Sequence, residues 1–207
     1  ERIGNLLHIT EGEEVNNPFS FGTSKMPVTG TFHSICARIL RREIEHLGLE
    51  KHFVIYDSDD QKKLMSQILK EMQVDDKELK PKAALSYIGR FKSEAMSPKE
   101  AETQATTARM HQVITAYKRY QKALREANAL DFDDLLIKTV VLFKEVPQIL
   151  EKWQQRLTHI FVDEWQDTNK IQYALTKMLV GNSHNITAVG DASQSIYSWR
   201  GADFRNI

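Results

Sequence analysis

Residues 158–202, THIFVDEWQDTNKIQYALTKMLVGNSHNITAVGDASQSIYSWRGA, decide the fold. Two short apolar runs within them, His159–Val162 and Asn185–Val189, have the length and β-branched content of buried parallel strands. Between them Thr168–Val180 reads as a crossover helix, with Ile171, Ala174, Leu175, Met178 and Leu179 on one face. Strand, helix and strand make a βαβ unit. Each strand ends in acid, Asp163-Glu164 after the first and Gly190-Asp191 after the second. Open α/β sheets bind ligands beyond the carboxyl ends of their strands, so both acidic tips lie on the binding edge.

The chemistry suggested by Val162-Asp163-Glu164 is nucleotide hydrolysis. A carboxylate at a strand tip holds Mg²⁺ well, because that ion takes one or two carboxylates together with phosphates and water. Asp163 suits this role. A second carboxylate beside it, Glu164, orients and deprotonates an attacking water. An Asp-Glu pair that merely ends a strand and caps the next helix is the blander alternative. It weakens because Gln166, Asp167, Thr168 and Asn169 follow at once, and Gly190–Tyr197 follows the second strand. Gln194 carries an amide that both donates and accepts, as a group contacting a γ-phosphate or the attacking water must. Tyr197 and Trp199 alternate with Ser198 and share a face in an extended stretch. Stacking of bases on such rings contributes about 1–3 kcal/mol per base. Arg200 adds a charge for phosphate or a cation–π contact. Core packing is the alternative for these aromatics and the reading adopted for Ile196.

VDEWQDTN (162–169) and VGDASQSIYSWRGAD (189–203) resemble motifs II and III of the superfamily 1A DNA helicases of the UvrD/Rep/PcrA type, in order and at the expected spacing. TFHSICARILRR (31–42) resembles motif Ib, and LDFDDLL (130–136) resembles a further family signature. The resemblance implies an α/β fold: part of a RecA-like (P-loop NTPase) domain 1A carrying an inserted all-helical subdomain 1B. It implies an ATP-dependent 3′→5′ DNA helicase that couples hydrolysis to movement on single-stranded DNA and to duplex unwinding. ATP and Mg²⁺ are the implied cofactors, and single-stranded DNA and the single-strand/duplex junction the implied partners. By the same resemblance Asp163 and Glu164 are metal-proximal, Glu164 and Gln194 catalytic, and Asp163, Gln166, Asp191 and Gln194 nucleotide-binding. Thr31, Phe32, His33, Tyr197, Trp199 and Arg200 face DNA. For Thr31 and His33 a hydroxyl and an imidazole at a helix N-terminus are sound phosphate partners. Phe32 is open between DNA and the core. Two other readings stand beside the leading one: the helicase portion of a RecB/AddA-like helicase–nuclease, and a non-catalytic DNA-binding module.

On this reading residues 1–50 are the first part of domain 1A, 51–130 the helical insertion and 131–207 the second part of 1A. Glu1–His8 resembles the tail of a helix, and Glu11–Gly30, rich in Gly, Pro, Asn and Ser, reads as a loop. Thr31 caps a helix running to Gly48, and His52–Tyr56 is a short strand or extended link. Asp57, Asp59 and Asp60 suit the N-terminus of a helix over Gln61–Met72. Pro81 opens another, and Ser97-Pro98 begins the longest helical pattern, Lys99 to about Asn128. Met110, Val113, Ile114, Tyr117, Tyr120 and Leu124 form its apolar stripe. Asp131 caps a helix to Phe143, and Pro147–Leu157 is a short amphipathic helix with Leu150 and Trp153 inward.

Composition sets the bounds. A hydrophobic fraction of 41% supports a real core, and formal net charge is zero. Residues 51–130 hold 15 Lys and Arg against 11 Asp and Glu, a net +4, with Lys118, Arg119, Lys122 and Arg125 the densest basic group. A solvated helix face and a DNA contact explain that group equally well. Cys36 is the single cysteine, which excludes an internal disulfide and a cysteine-based zinc site. No apolar run approaches a membrane span, the N-terminal residues lack the layout of a signal peptide, and a cytoplasmic location is expected. The phosphate loop G-x-x-x-x-G-K-[ST] is absent; Gly22-Thr23-Ser24-Lys25 has similar residue types but neither the spacing nor a preceding strand. The chain therefore reads as a segment from just after motif Ia to just after motif III, expected to hydrolyse ATP negligibly alone.

Overall fold

A computed structural model describes residues 27–75, 77–191 and 193. The expected helix tail over Glu1–His8 and most of the 11–30 loop lie outside these residues; residues 27–30 are irregular and exposed.

The described residues are mostly helical, with two small parallel sheets. Helix α1 (Phe32–Glu43) starts where the Thr31 hydroxyl accepts the Ser34 N–H at 3.2 Å. It tightens into a 3₁₀ turn, Ile44–Leu47, and stops at Gly48, whose φ of +68° suits a glycine. Strand β1 (Val54–Ile55) follows. Asp57 then caps α2 (Ser58–Glu71) in a capping box with Asp60, so this helix begins three residues before the expected Gln61. Next come α3 (Pro81–Ser93), α4 (Pro98–Glu102), α5 (Ala108–Glu126) and strand β2 (Ala129–Leu130). Asp131 caps α6 (Phe132–Glu145), and α7 (Pro147–Arg156) leads into β3 (Ile160–Val162). A 3₁₀ turn, Trp165–Asp167, precedes α8 (Lys170–Val180), and β4 (Ile186–Ala188) pairs parallel with β3, Val162 opposite Ala188.

Two apolar clusters organise these elements. The first joins α1, α6, α7 and α8 through Ile39, Leu40, Leu136, Phe143, Trp153 and Leu175. The second joins α2, α3 and α5 through Met65, Leu69, Ile88, Ile114, Tyr117 and Tyr120. Each fully buried large apolar side chain contributes about 1.5–3 kcal/mol, so both clusters are substantial cores.

Four expectations are corrected. The single helix from Lys99 to Asn128 is two: α4 ends at Glu102, and Thr107 starts α5 by accepting the Met110 N–H at 3.2 Å. Threonine hydroxyls compete well for exposed backbone N–H groups, and here they win over continuation of the helix. Second, 51–130 is not all helical, because β1 and β2 pair in parallel, Val54 with Ala129 and Ile55 with Leu130. Third, α8 starts at Lys170 rather than Thr168, since Asn169 takes the cap with Gln172 as its reciprocal partner. Fourth, the strands read as buried are partly exposed: Phe161 is 75% and Val189 58% exposed, because the β3–β4 sheet has only two strands among the described residues.

Candidate active site

Strand β3 delivers Asp163 and Glu164, both exposed, at its carboxyl end. The chain turns sharply there. Glu164 has φ +52° and ψ +42°, the left-handed region, which costs a non-glycine residue about 1–2 kcal/mol. The surroundings hold it in place. The Glu164 N–H donates to Asp163 Oδ1 at 2.9 Å, and Gln166 Nε2 donates to Glu164 Oε2 at 2.6 Å.

The tip of β4 is tied to the same turn. Val189 N–H donates to the Val162 carbonyl at 2.8 Å, and Trp165 N–H donates to the Val189 carbonyl at 2.9 Å. Gln166 is 1% exposed, and its Oε1 accepts the Asp191 N–H at 3.0 Å. A Cβ added at Gly190 would lie 2.6 Å from Gln166 Oε1 and 3.1 Å from the Trp165 nitrogen, so only glycine lets the two tips approach this closely. Asp191 in turn accepts the Ser193 N–H and hydroxyl on Oδ1, at 2.9 and 2.6 Å. Beneath the turn, Trp165 is buried beside Tyr173 and the Thr168 hydroxyl donates to the Trp165 carbonyl at 2.7 Å.

Asp163, Glu164, Gln166 and Asp191 are thus brought into one cluster, while Gln194, Tyr197, Trp199 and Arg200 lie outside the described residues. Among the described residues no group of three or more His, Cys, Asp or Glu is arranged around a metal ion. The donor set is instead two adjacent carboxylates, which fits Mg²⁺ completed by water and phosphate and does not fit a closed all-protein cage.

Thr31, Phe32 and His33 sit at the start of α1. Thr31 is the helix cap, and Phe32 is half-buried against the first core, which favours its packing role. Burial lowers the pKa of His33, so its imidazole is neutral at pH 7 and offers a hydrogen bond rather than a charge. Its ring meets Phe132 edge-on at 5.9 Å, and Phe132 is 50% exposed. Motif-Ib-like and LDFDDL-like residues therefore share one surface. In the basic group on α5, Lys118 pairs with Glu102 at 2.8 Å and Lys122 with Glu126 at 3.7 Å, as a solvated face would have it.

One cluster escaped sequence reasoning. Lys92, on α3, is fully buried, with Nζ 2.6 Å from Asp131 Oδ2 and 2.8 Å from Asp134 Oδ1. Tyr120 donates its hydroxyl to Asp131 Oδ2 at 3.1 Å. Burial alone would lower the Lys92 pKa, but the two aspartates outweigh it and raise it above the ordinary range. The available signal was position: Lys92 lies one helical turn beyond Ile88, on the inward face of α3.

No described helix is long and apolar enough to cross a membrane. The family model described as UvrD/REP helicase N-terminal domain matches residues 1–207. The chain is 45% identical over 177 residues to proteins named ATP-dependent DNA helicase PcrA, from Staphylococcus aureus (strain Mu50) and Staphylococcus epidermidis (strain ATCC 12228). Those matches cover 86% of this chain and 24% of each relative, so the chain spans about a quarter of the length of the curated relatives it matches. With carboxylates at a β-strand tip, tied to the next strand through Gln166, and a match along its whole length, the chain belongs to the UvrD/REP helicase N-terminal domain family.

Proposed function

We propose that this chain supplies the hydrolytic carboxylates and part of the DNA track of an ATP-dependent 3′→5′ DNA helicase. The observation that carries the reading is the Glu164 carboxylate, exposed at the tip of β3 and held at 2.6 Å by Gln166, which also grips the tip of β4. In this role Glu164 accepts the proton of a water attacking the γ-phosphorus of ATP, while the bond to the β-phosphate oxygen breaks and ADP leaves with the electron pair. Asp163 would hold Mg²⁺, which when bound neutralises charge on the phosphates. Asp191 and Gln194 contact or report on the nucleotide, and Tyr197, Trp199 and Arg200 engage single-stranded DNA by stacking and charge.

The first apolar cluster, with β3 and β4, is read as part of a RecA-like domain 1A. Residues 51–130, built on the second cluster, are read as the inserted subdomain 1B, working near the junction of single strand and duplex. The naming of the relatives as ATP-dependent DNA helicases supports the proposed activity, and a cytoplasmic location is part of the proposal. The test is DNA-stimulated ATP hydrolysis by the full natural protein that contains this chain. Glu164→Gln should remove turnover while fluorescent-nucleotide binding persists; undiminished hydrolysis by that variant overturns the proposal.

A further inference from the structure

We infer that Gln166 is a positioning residue that makes the aim of Glu164 depend on the position of the β4 tip, acting through Glu164 rather than by touching nucleotide. The inference rests on the proposed function above. Gln166 is 1% exposed, so its amide faces protein, and both ends of that amide are engaged. Nε2 donates to Glu164 Oε2 at 2.6 Å, and Oε1 accepts the Asp191 N–H at 3.0 Å. The amide is planar and rigid, so its oxygen and nitrogen move together. A shift of the β4 tip that carries Asp191 away releases or drags the group that holds Glu164.

Two further observations agree. Glu164 stands in left-handed backbone, φ +52°, a conformation that persists only where neighbours enforce it, and the Gln166 hydrogen bond is one such restraint. On the other side, the close approach of Gly190 to Gln166 Oε1 leaves no room for a side chain, so the amide is fixed by packing as well as by hydrogen bonds. Gln194 lies four residues after Gly190 in the sequence. A change at the segment that senses the phosphate therefore has a short path to the catalytic carboxylate through one buried amide. Glu164 reaches its productive orientation only while the two strand tips stay in register.

The experiment uses the full natural protein with Gln166→Met, which keeps volume and apolar packing and loses both hydrogen bonds. Loss of a hydrogen bond to a charged group should lower kcat for DNA-stimulated ATP hydrolysis on the order of ten- to a hundredfold. KM for ATP and the affinity for a fluorescent ADP analogue should stay within about twofold, because a residue that acts only on the transition state leaves ground-state binding alone. A rise in KM with kcat kept, or full turnover by Q166M beside an active unsubstituted protein, overturns this inference and leaves the proposed function standing. An unsubstituted protein without DNA-stimulated turnover overturns both. If Q166M does not fold, Gln166→Leu, which also loses both hydrogen bonds and keeps an apolar side chain in the same space, carries the same expectations.

Discussion

Replacing Lys92 by Met should be among the most damaging single changes in this chain. Lys92 is buried between Asp131 and Asp134, each 3% exposed, with contacts of 2.6 and 2.8 Å. Without the ammonium, Asp131 keeps the Tyr120 hydroxyl and the Asp134 N–H, at 3.1 and 2.9 Å. Asp134 keeps only longer contacts, to Gln121 and to the Asp131 N–H, both at 3.4 Å. Two buried carboxylates in one capping box then face each other with only the weaker pull of Lys138 to offset them. Breaking a buried pair from one side costs about 3–5 kcal/mol, a large share of the ~5–15 kcal/mol that stabilises a typical domain. Urea unfolding followed by circular dichroism at pH 7 reads this as a fall in the midpoint at constant slope. Because the fault is uncompensated charge, Lys92→Met combined with Asp134→Asn should recover about half or more of the loss. The pH dependence has a definite sign. Burial raises the pKa of Asp134, against the pull of Lys92 and with the help of Asp131. Its favourable contribution is therefore complete below the ordinary carboxylate range and is lost as pH rises through the raised value. Removing Lys92 raises that value further, so the deficit of K92M should shrink on acidification from pH 7. A loss under about 1 kcal/mol, or a deficit that grows on acidification, refutes this account of the cluster.

Three shorter predictions follow from other sites. Gly190→Ala drives a methyl group toward Gln166 Oε1, which would lie 2.6 Å away, and should cost about 1–3 kcal/mol in a thermal melt while slowing hydrolysis as Q166M does. Thr31→Ala removes the cap of α1 and should cost about 1 kcal/mol by urea unfolding, whereas Thr31→Ser should cost far less. Cys36 is buried, and burial pushes its pKa up to about 12 against a lowering hydrogen bond with Thr139. An aromatic disulfide reagent at pH 8 should leave it unlabelled in the native chain and label it fully in denaturant.

What was legible in the sequence was local chemistry with a strong positional signature. Thr31 and Asp131 announce their caps because a short acceptor before an apolar periodic run has one good use. The βαβ unit was visible because Ile171, Leu175 and Leu179 repeat on one face between two short β-branched runs. The break between α4 and α5 was hidden, because the apolar stripe of α5 and the polar residues of α4 both satisfy helical periodicity. Only the competition of threonine hydroxyls separates them. Strand β2 is two residues long and has no period to read; its partner is 75 positions earlier, at Val54 opposite Ala129. At the candidate site, the place of Asp163 and Glu164 at the tip of a strand was legible from the run before them. That Gln166 is buried with both ends of its amide engaged is a property of the packed strand tips, which no spacing expresses. Lys92 was missed for a related reason: a lysine reads as surface until two aspartates far along the chain, Asp131 and Asp134, arrive beside it.

The parallel pairing of β1 with β2 also bears on how this chain tolerates change in length. Val54 sits opposite Ala129 and Ile55 opposite Leu130, with the backbone hydrogen bonds continuing on either side, from Val54 N–H to the Asn128 carbonyl and from Tyr56 N–H to the Leu130 carbonyl. Paired strands lie about 5 Å apart, so the way out of the first core and the way back into it are neighbouring doorways. The helices between them form a cassette: to the rest of the chain they are a loop whose ends are already closed. Since closure entropy grows only with the logarithm of loop length, the loops of this cassette can be lengthened or trimmed at small thermodynamic cost so long as Lys92 stays between Asp131 and Asp134. The seam at Val54 and Leu130 is thus the natural place to graft a different helical module, provided that it brings a buried lysine to meet Asp131 and Asp134.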